Sequence, residues 1–172
     1  RKEADVLNGP IQFSAGSGMT PEIMAIVQLL TGPKKNYLDT WEYKITWVKG
    51  MSGSERRLAF RRGDLNGTRE NPAAYKKHVM PVIEEGTAIT WFHHGLLNVD
   101  TGKHDKDPNF AEPTFEELYF ETWLTEPTGD FYDAYKLVKS WRDALQKAFW
   151  VNAGNPNKAK LVDALNRMIN DP

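Results

Sequence analysis

The sequence predicts an α/β fold in which a mainly parallel sheet is flanked by helices. Before residue 93, short apolar segments typical of strands alternate with segments whose apolar side chains recur at helical spacing. Loops that contain glycine and serine join the two kinds of segment. Because a strand–helix–strand unit joins parallel strands by a right-handed crossover, this alternation indicates a parallel sheet.

Four strands and three helices are expected in this first part of the chain. The strands are predicted at residues 11–14, 44–48, 64–69 and 88–92. The first helix follows Thr20-Pro21, where a capping side chain precedes a proline, and ends at Gly32. A second helix runs from a capping box of Ser52 and Glu55 to residue 62, and a third covers 71–83, bent or ended near Pro81.

After residue 93 the pattern changes from alternating elements to a polar loop followed by helices. The loop covers residues 93–113, and Thr114 begins a short helix with a second capping box. Longer amphipathic helices are predicted at 130–150 and 155–169. Their apolar stripes have no strands beside them, so we expect residues such as Leu137, Trp141, Leu161 and Leu165 to form an uncovered apolar patch or to be buried by a partner.

Composition excludes several classes of function. The 22 basic and 23 acidic side chains nearly cancel, which argues against nucleic-acid binding and against a polybasic membrane-surface helix. No apolar run is long enough to be inserted into a membrane. Without cysteine, disulfides, thiolate catalysis and cysteine-based zinc sites are excluded. No cofactor is predicted.

The loop after the first strand has the composition of an anion site. It consists of Ala15, Gly16, Ser17, Gly18, Met19 and Thr20. Such a loop directs free backbone N–H groups and the positive end of the next helix toward one point. It lacks the lysine of a phosphate-binding loop and does not match a dinucleotide fingerprint. A plain strand–helix connection remains the alternative.

A second loop repeats this design after the second strand. It consists of Lys49, Gly50, Met51, Ser52, Gly53 and Ser54. Two such loops at the carboxyl ends of adjacent parallel strands would lie side by side, where open α/β sheets bind ligands. Their N–H and hydroxyl donors suit a small carboxylate. Asn66, Gly67, Thr68 and Arg69 are either further polar groups of the pocket or part of an Asn-Gly turn.

His93 and His94 suggest an alternative, a metal-dependent hydrolase. Adjacent histidines at a strand end point to opposite faces, so they rarely share one metal ion. A third ligand would come from Asp100, His104 or Asp105. The sequence contains neither a nucleophile elbow nor a zinc-protease helix motif.

Taken in order, the motifs resemble a known family. The matching stretches are 11–18 before the first helix, 45–50, 58–67, 107–110 with 113–118, and 154–172. In this order they are similar to the periplasmic substrate-binding proteins of tripartite tricarboxylate transporters, a branch of the type II periplasmic-binding-protein superfamily. The second loop, Lys-Gly-Met-Ser-Gly-Ser, and the His93-His94 pair depart from the family pattern.

The resemblance implies two lobes that close on a small carboxylate without catalysis, in a periplasmic protein that serves membrane transporter subunits. Residues 10–87 would form the second lobe. Residues 88–172 would form a return strand, the polar loop and C-terminal helices that pack on a first lobe, whose strands would precede Arg1. The ligand would contact 15–20 and 50–54, with 66–68 behind them. The effector domain of a transcription regulator shares this fold and is a further alternative.

The implied site predicts that both loops present N–H groups to one cleft, with Ser17 and Ser52 on the same side of the sheet. It also predicts that Gly18→Val weakens ligand binding far more than it changes stability. A Cβ at Gly18 would obstruct the approach of a carboxylate to the backbone.

Overall fold

A computed structural model describes residues 10–15, 20–33, 45–98, 100–101, 103–145 and 152–170, with side chains omitted at Ala15, Lys103, 144–145 and 168–170. The chain divides into two compact units, Arg1–Ser140 and Trp141–Pro172. The first is mixed α/β with a small parallel sheet, which confirms the predicted fold class at that level. The lobe boundary at residue 88 stays a prediction.

The sheet is built on two adjacent parallel strands, as predicted. Strand β1, Ile11–Ala15, pairs with β2, Ile45–Lys49, in a register that ends with Ala15 opposite Lys49. On the other edge of β1, the backbone N–H groups of Asn66 and Gly67 donate to the carbonyl of Gln12. The third predicted strand is therefore wrong as a strand, since it contributes a single parallel bridge between Gly67 and Phe13.

The two crossovers of this sheet lie on opposite faces. Helix α1, Pro21–Thr31, joins β1 to β2, and helix α2, Gly53–Arg62, leads back to Gly67 on the far side of β1. Right-handed crossovers in opposite directions place these helices on opposite faces. In agreement, α1 and not α2 contributes to the apolar cluster against β1 and β2. This cluster contains Ile11, Phe13, Ile23, Ile26, Val27, Leu30 and Ile45.

The third predicted helix forms but widens instead of ending at Pro81. It consists of α3, Pro72–Ala74, a π-helix, Tyr75–Val79, and α4, Met80–Glu84. Pro81 has no N–H for the carbonyl four residues earlier, and its ring crowds that carbonyl. The backbone adapts because Met80 N–H donates to the carbonyl of Tyr75, five residues back.

The fourth predicted strand, 88–92, is wrong. Its apolar side chains serve packing instead of strand pairing, since Trp91 and Phe92 lie against both apolar clusters of the first unit. The polar loop that follows contains an antiparallel hairpin of β3, Leu96–Asn98, and β4, Lys103–Asp105, which the sequence analysis missed. Asn98 Oδ1 accepts from the N–H groups of Asp100 and Thr101 at its turn.

Two further helices complete the first unit, although the second of them continues beyond Ser140. Helix α5, Phe115–Trp123, begins at the predicted capping box of Thr114 and Glu117. Helix α6, Asp130–Leu145, packs fully buried Tyr135 against it. The second apolar cluster consists of Met24, Ala25, Leu29, Phe115, Leu118, Tyr119 and Tyr135. The part of the predicted helix after Leu145 lies outside the described residues.

In the second unit, helix α7 covers Lys158–Asn170 and starts three residues later than predicted. Asn155 Oδ1 accepts from the N–H of Asn157 in the preceding turn. Leu161 and Val162 are exposed, and so are Leu137 and Trp141 of α6. Exposure is therefore confirmed for Leu137, Trp141 and Leu161, whereas Leu165 is half-buried, and the contiguous patch stays a prediction. None of the described helices combines the length and apolarity needed to cross a membrane.

Candidate functional site

The candidate site is the edge of the sheet where β1 and β2 end. These strands are adjacent and parallel, and their following helices lie on opposite faces. In open α/β sheets ligands bind in a crevice beyond the carboxyl ends of the strands, where the strand order reverses, and with β2 and Gly67 on either side of β1 that point is at β1. The pairing of Ala15 with Lys49 places the two glycine loops at this edge.

Two buried hydroxyl groups on either side of the first loop lack hydrogen-bond partners. Ser14, next to the end of β1, is 1% exposed, and Thr20 directly precedes α1. Neither Ser14 Oγ nor Thr20 Oγ1 has a partner within the part of the chain that the structure describes. By strand alternation Ser14 lies on the face opposite Phe13, so the two hydroxyls border the crevice from its α2 side and its α1 side.

The start of α1 is also left uncapped. Thr20 has the extended backbone of an N-cap, but its side chain accepts no hydrogen bond from the helix. The first N–H groups of a helix have no partner within it, and they carry its positive partial charge. The expectation that Thr20 caps α1 is therefore wrong, and within the described part of the chain the first turn of α1, although buried, has no side-chain cap.

The second loop is arranged differently, because its polar groups satisfy one another. Ser52 Oγ accepts from the N–H of Glu55, and Glu55 Oε2 accepts from the N–H of Ser52. Ser52 and Ser54 hydroxyls lie 3.2 Å apart. The hydrogen bonds from Ser52 lower the pKa of Glu55. The remaining loop residues are Lys49 and Gly50, both exposed, and Met51 and Gly53, both half-buried.

An ion pair neutralises the acid nearest to the open helix end. Glu22, in the first turn of α1, accepts from Arg69 Nη1 at 3.0 Å, with both side chains largely buried. A free carboxylate here would repel a second anion. Arg69 therefore makes this end of α1 suitable for a negatively charged ligand. Arg69 was a candidate polar group of the pocket from sequence, but its pairing with Glu22, 47 residues away, was not predictable.

The third group of predicted site residues runs alongside β1. Asn66 Nδ2 donates to the carbonyl of Pro10, and Asn66 Oδ1 accepts from Gln12 N–H, so Asn66 pairs with the amino end of β1. A Cβ at Gly67 would approach the ring of Phe13 to 2.8 Å, which explains its glycine by packing. Thr68 follows the parallel bridge between Gly67 and Phe13, in the direction of the end of β1. Asn66 and Gly67 are structural partners of β1, and a ligand-binding role of Asn66, Gly67 and Thr68 stays a prediction.

Part of the predicted site cannot be placed. Gly16, Ser17, Gly18 and Met19 lie outside the described residues, and of Ala15 the backbone alone is described. The adjacency of Ser17 and Ser52 and the effect of Gly18→Val therefore stay predictions. Ser14 was missed as a site residue because it belongs to the strand, although a serine in an otherwise apolar segment is a usable signal.

The adjacent histidines have different neighbours. His93 Nδ1 accepts from Gly95 N–H at 3.0 Å, and its ring stacks on Phe110. Burial lowers the pKa of His93. Because Nδ1 accepts a hydrogen bond, a neutral ring carries its proton on Nε2. His94 Nδ1 lies 2.9 Å from the hydroxyl of Tyr135. Within the described residues no three His, Asp or Glu side chains are placed to hold a metal ion, so the hydrolase alternative gains no support.

One further buried group is Glu116 at the interface of α5 and α6. Tyr132 Oη donates to Glu116 Oε1 at 3.4 Å, while Oε2 is buried without a partner in the described part of the chain. Burial raises the pKa of Glu116 to about 7, against the opposing effect of Lys139. Burial also raises the pKa of Tyr132. This carboxyl belongs to the packing of two helices and does not lie at the sheet edge.

Comparison of the chain with protein-family models, with curated proteins and with solved structures found no match. Function therefore rests on the geometry of the site and on the sequence resemblance.

Proposed function

We propose that this chain belongs to an extracytoplasmic solute-binding protein that captures a small carboxylate at the edge of β1 and β2 and delivers it to a membrane transporter. One observation carries the proposal. The hydroxyl of Ser14 near the end of β1 and that of Thr20 at the start of α1 are buried without partners in the described part of the chain. Both border the crevice of a parallel sheet.

A ligand that accepts hydrogen bonds from these hydroxyls would remove the free-energy cost of burying them without partners. A buried hydroxyl without a hydrogen bond costs about 1–3 kcal/mol, and this cost is removed when an acceptor arrives. A carboxylate supplies two acceptor oxygens, and hydrogen bonds to a charged acceptor are about twice as strong as neutral ones. The positive end of α1 adds a favourable interaction of about 0.3–1 kcal/mol.

The same geometry favours binding without catalysis. A nucleophilic serine needs a base within hydrogen-bond reach, and neither Ser14 nor Thr20 has such a neighbour among the described residues. The loop after β2 holds neither a histidine nor an acid, and the acid that follows it, Glu55 of α2, is engaged in the capping box. We therefore propose a binding protein and not an enzyme.

Delivery to transporter subunits and a periplasmic location are supported by the sequence resemblance. So is the type II two-lobed arrangement, in which a second lobe would close over the crevice. Fractionation of the native cells, followed by immunodetection, tests the location. We expect the protein in the extracytoplasmic fraction, and a cytoplasmic signal would contradict this part of the proposal.

Titration calorimetry with mono-, di- and tricarboxylates tests the binding function. We expect at least one carboxylate to bind, and Ser14→Ala to weaken it about tenfold or more while leaving stability unchanged or higher. Thr31→Val is the matched control. Its hydroxyl is also buried in the first unit but donates to the carbonyl of Val27 at 2.9 Å, at the opposite end of α1.

Thr31→Val should therefore keep the affinity of the parent. No heat with any carboxylate would contradict the proposal. So would a Ser14→Ala variant that loses stability yet binds as tightly as the parent, because that result would assign the hydroxyl a structural role.

A further inference from the structure

The charges of this chain are separated along the sequence, although their sum is close to zero. Residues 107–135 contain no lysine or arginine. The eight acids in this range are Asp107, Glu112, Glu116, Glu117, Glu121, Glu126, Asp130 and Asp133. Helix α2 has the reverse composition, with four arginines and one acid among its ten residues. The first unit therefore has an acidic segment that contains α5 and a basic segment that contains α2, and opposite charges of this kind attract.

The outer face of α5 combines negative charge with exposed apolar side chains. Four exposed residues at the spacing i, i+3, i+4 and i+7 form this face: Glu117, Phe120, Glu121 and Leu124. Phe120 is 48% exposed and Leu124 is 82% exposed. Apolar contact area of this size beside two carboxylates suits a partner surface that is both apolar and basic.

Leu124 also adopts a backbone conformation that leucine normally avoids. Its φ is 54°, and among the described residues no other side chain apart from the glycines has a positive φ. Glycine adopts this conformation freely at the end of a helix, whereas a Cβ comes too close to the following carbonyl oxygen. The leucine is therefore kept at a cost in stability, and its exposed side chain adds little to the packing of its own copy. Contact with a partner would give it a role.

The outer face of α2 has the complementary pattern. Leu58, which is 54% exposed, lies beside the exposed Arg61 and Arg62 at helical spacing. Arg62 pairs with Asp64, but neither Arg61 nor Glu121 has an ion-pair partner within the described ranges of the chain. An apolar side chain flanked by arginines on α2 thus matches apolar side chains flanked by glutamates on α5.

These two faces lie on opposite sides of the sheet and cannot meet within one copy. Helix α5 packs against α1, where Trp123 Nε1 donates to the carbonyl of Leu29 at 2.9 Å. Helix α2 lies on the other face of the sheet, because the two crossovers run in opposite directions. A contact between the α5 face and the α2 face therefore joins two copies, and it is head-to-tail because each copy contributes a different surface.

We propose that this chain associates with a second copy of itself, the α5 face of one copy seated on the α2 face of the next. Leu58 contacts Phe120 and Leu124, and Arg61 pairs with Glu121. A second copy is the occupant because one chain carries both halves of the matching pattern. The association does not depend on the proposed transport function, since neither face contains a predicted ligand contact. Its small apolar area makes it weak, and its charges make it sensitive to salt.

Sedimentation velocity of the chain at increasing concentration, up to about 1 mM, tests this association. We expect species larger than one chain to form as the concentration rises. Raising the salt concentration from about 0.05 M to about 0.5 M should weaken their formation about tenfold or more. A chain that stays monomeric at every concentration in low salt would overturn the proposal and would leave the α5 face to a different, basic partner.

Charge reversal tests whether these two faces form the contact. Arg61→Glu and Glu121→Arg each bring like charges together, so each variant alone should lose association. An equimolar mixture of the two should regain it, because the altered α2 face of one variant meets the altered α5 face of the other with opposite charges. Lys160→Glu is the control, since it makes an equal change of charge at an exposed position of α7. It should associate within about twofold of the parent. A mixture that stays monomeric although the parent associates would overturn the proposal.

Leu124→Gly separates docking from a structural role. Glycine relieves the left-handed backbone, so the thermal midpoint of the monomer should stay unchanged or rise, while association should weaken about tenfold or more. Leu96→Ala is the matched control, because Leu96 of the hairpin is also about half exposed but lies outside both faces. It should associate as the parent does. A lower midpoint with unchanged association in Leu124→Gly, or equal weakening by both variants, would overturn the proposal.

Discussion

The two helices that follow β1 and β2 begin in similar sequence but differ in how their first turns are satisfied. Each has a hydroxyl residue with extended backbone at the N-cap, Thr20 or Ser52, and each has an acid in the first turn. In α2, Ser52 and Glu55 close the helix end with a complete capping box. In α1, Thr20 makes no cap, and Glu22 pairs with Arg69 instead.

This difference separates a structural helix start from one suited to a ligand. Capping side chains contribute about 1 kcal/mol to stability, so an open end is a cost that needs a reason. At α1 the cost is combined with two buried hydroxyls without described partners. The closed end of α2 therefore serves as an internal reference for the open end of α1.

The largest expected effect concerns the ion pair that neutralises the acid of α1. Arg69→Gln removes a cation that pairs with the largely buried Glu22, and we expect the free energy of unfolding to fall by about 2–3 kcal/mol. Denaturant titration measures this loss. The double variant Glu22→Gln/Arg69→Gln is the control and should recover most of it. A single variant as stable as the parent would show that the pair does not hold the first turn of α1.

A smaller effect is expected at Glu116. Its Oε2 also lacks a partner among the described residues, but this carboxyl is buried where α5 packs on α6 and does not lie at the sheet edge. The pKa of Glu116 in the folded protein, about 7, lies above the ordinary value of 4.5, so the folded state favours the protonated carboxyl. The stability that this protonation provides is complete below about pH 4.5 and is lost as the pH rises through about 7. Glu116→Gln does not titrate. The free energy of unfolding of this variant, measured relative to that of the parent, should therefore increase by about 1–2 kcal/mol between pH 5 and pH 8.

Glu117→Gln is the control for this pH series. The pKa of Glu117 is lowered, chiefly by the N–H of Thr114, so its difference from the parent should stay constant between pH 5 and pH 8. Thermal or denaturant unfolding at several pH values measures both variants. A constant difference for Glu116→Gln as well would show that its carboxyl is ionised throughout this range.

The smallest effect belongs to the closed helix end. Ser52→Ala removes the acceptor for Glu55 N–H, and we expect a loss of about 1 kcal/mol in unfolding free energy with carboxylate affinity unchanged within about twofold. Unfolding and calorimetry on the same preparation measure the two quantities. Strongly reduced affinity with unchanged stability would exchange the roles of the two helix ends.

The elements with local causes were predictable from sequence. Capping boxes at Ser52 and Thr114 depend on residues three apart, and the glycine that ends α2 adopts the left-handed conformation such a stop requires, with φ of 81° at Gly63. The parallel pairing of β1 and β2 followed from the alternation of strands and helices.

Features that depend on distant partners were not predictable. Residues 88–92 have the composition of a strand, but Trp91 and Phe92 pack on helices. Asn66 pairs with the start of β1 across more than fifty residues, which an Asn-Gly turn signal does not reveal. The open end of α1 is of the same kind, because nothing local distinguishes Thr20 from a normal cap.

The account is tested most directly at the third residue of each helix, Ile23 in α1 and Glu55 in α2. The N–H of Glu55 is held by Ser52 Oγ, whereas Thr20 offers the N–H of Ile23 no such bond. During titration with the carboxylate that binds best, NMR spectra should show a large shift of the Ile23 amide and little change at Glu55. A shift confined to Glu55, or equal shifts at both amides, would contradict the claim that α1 holds the open anion site.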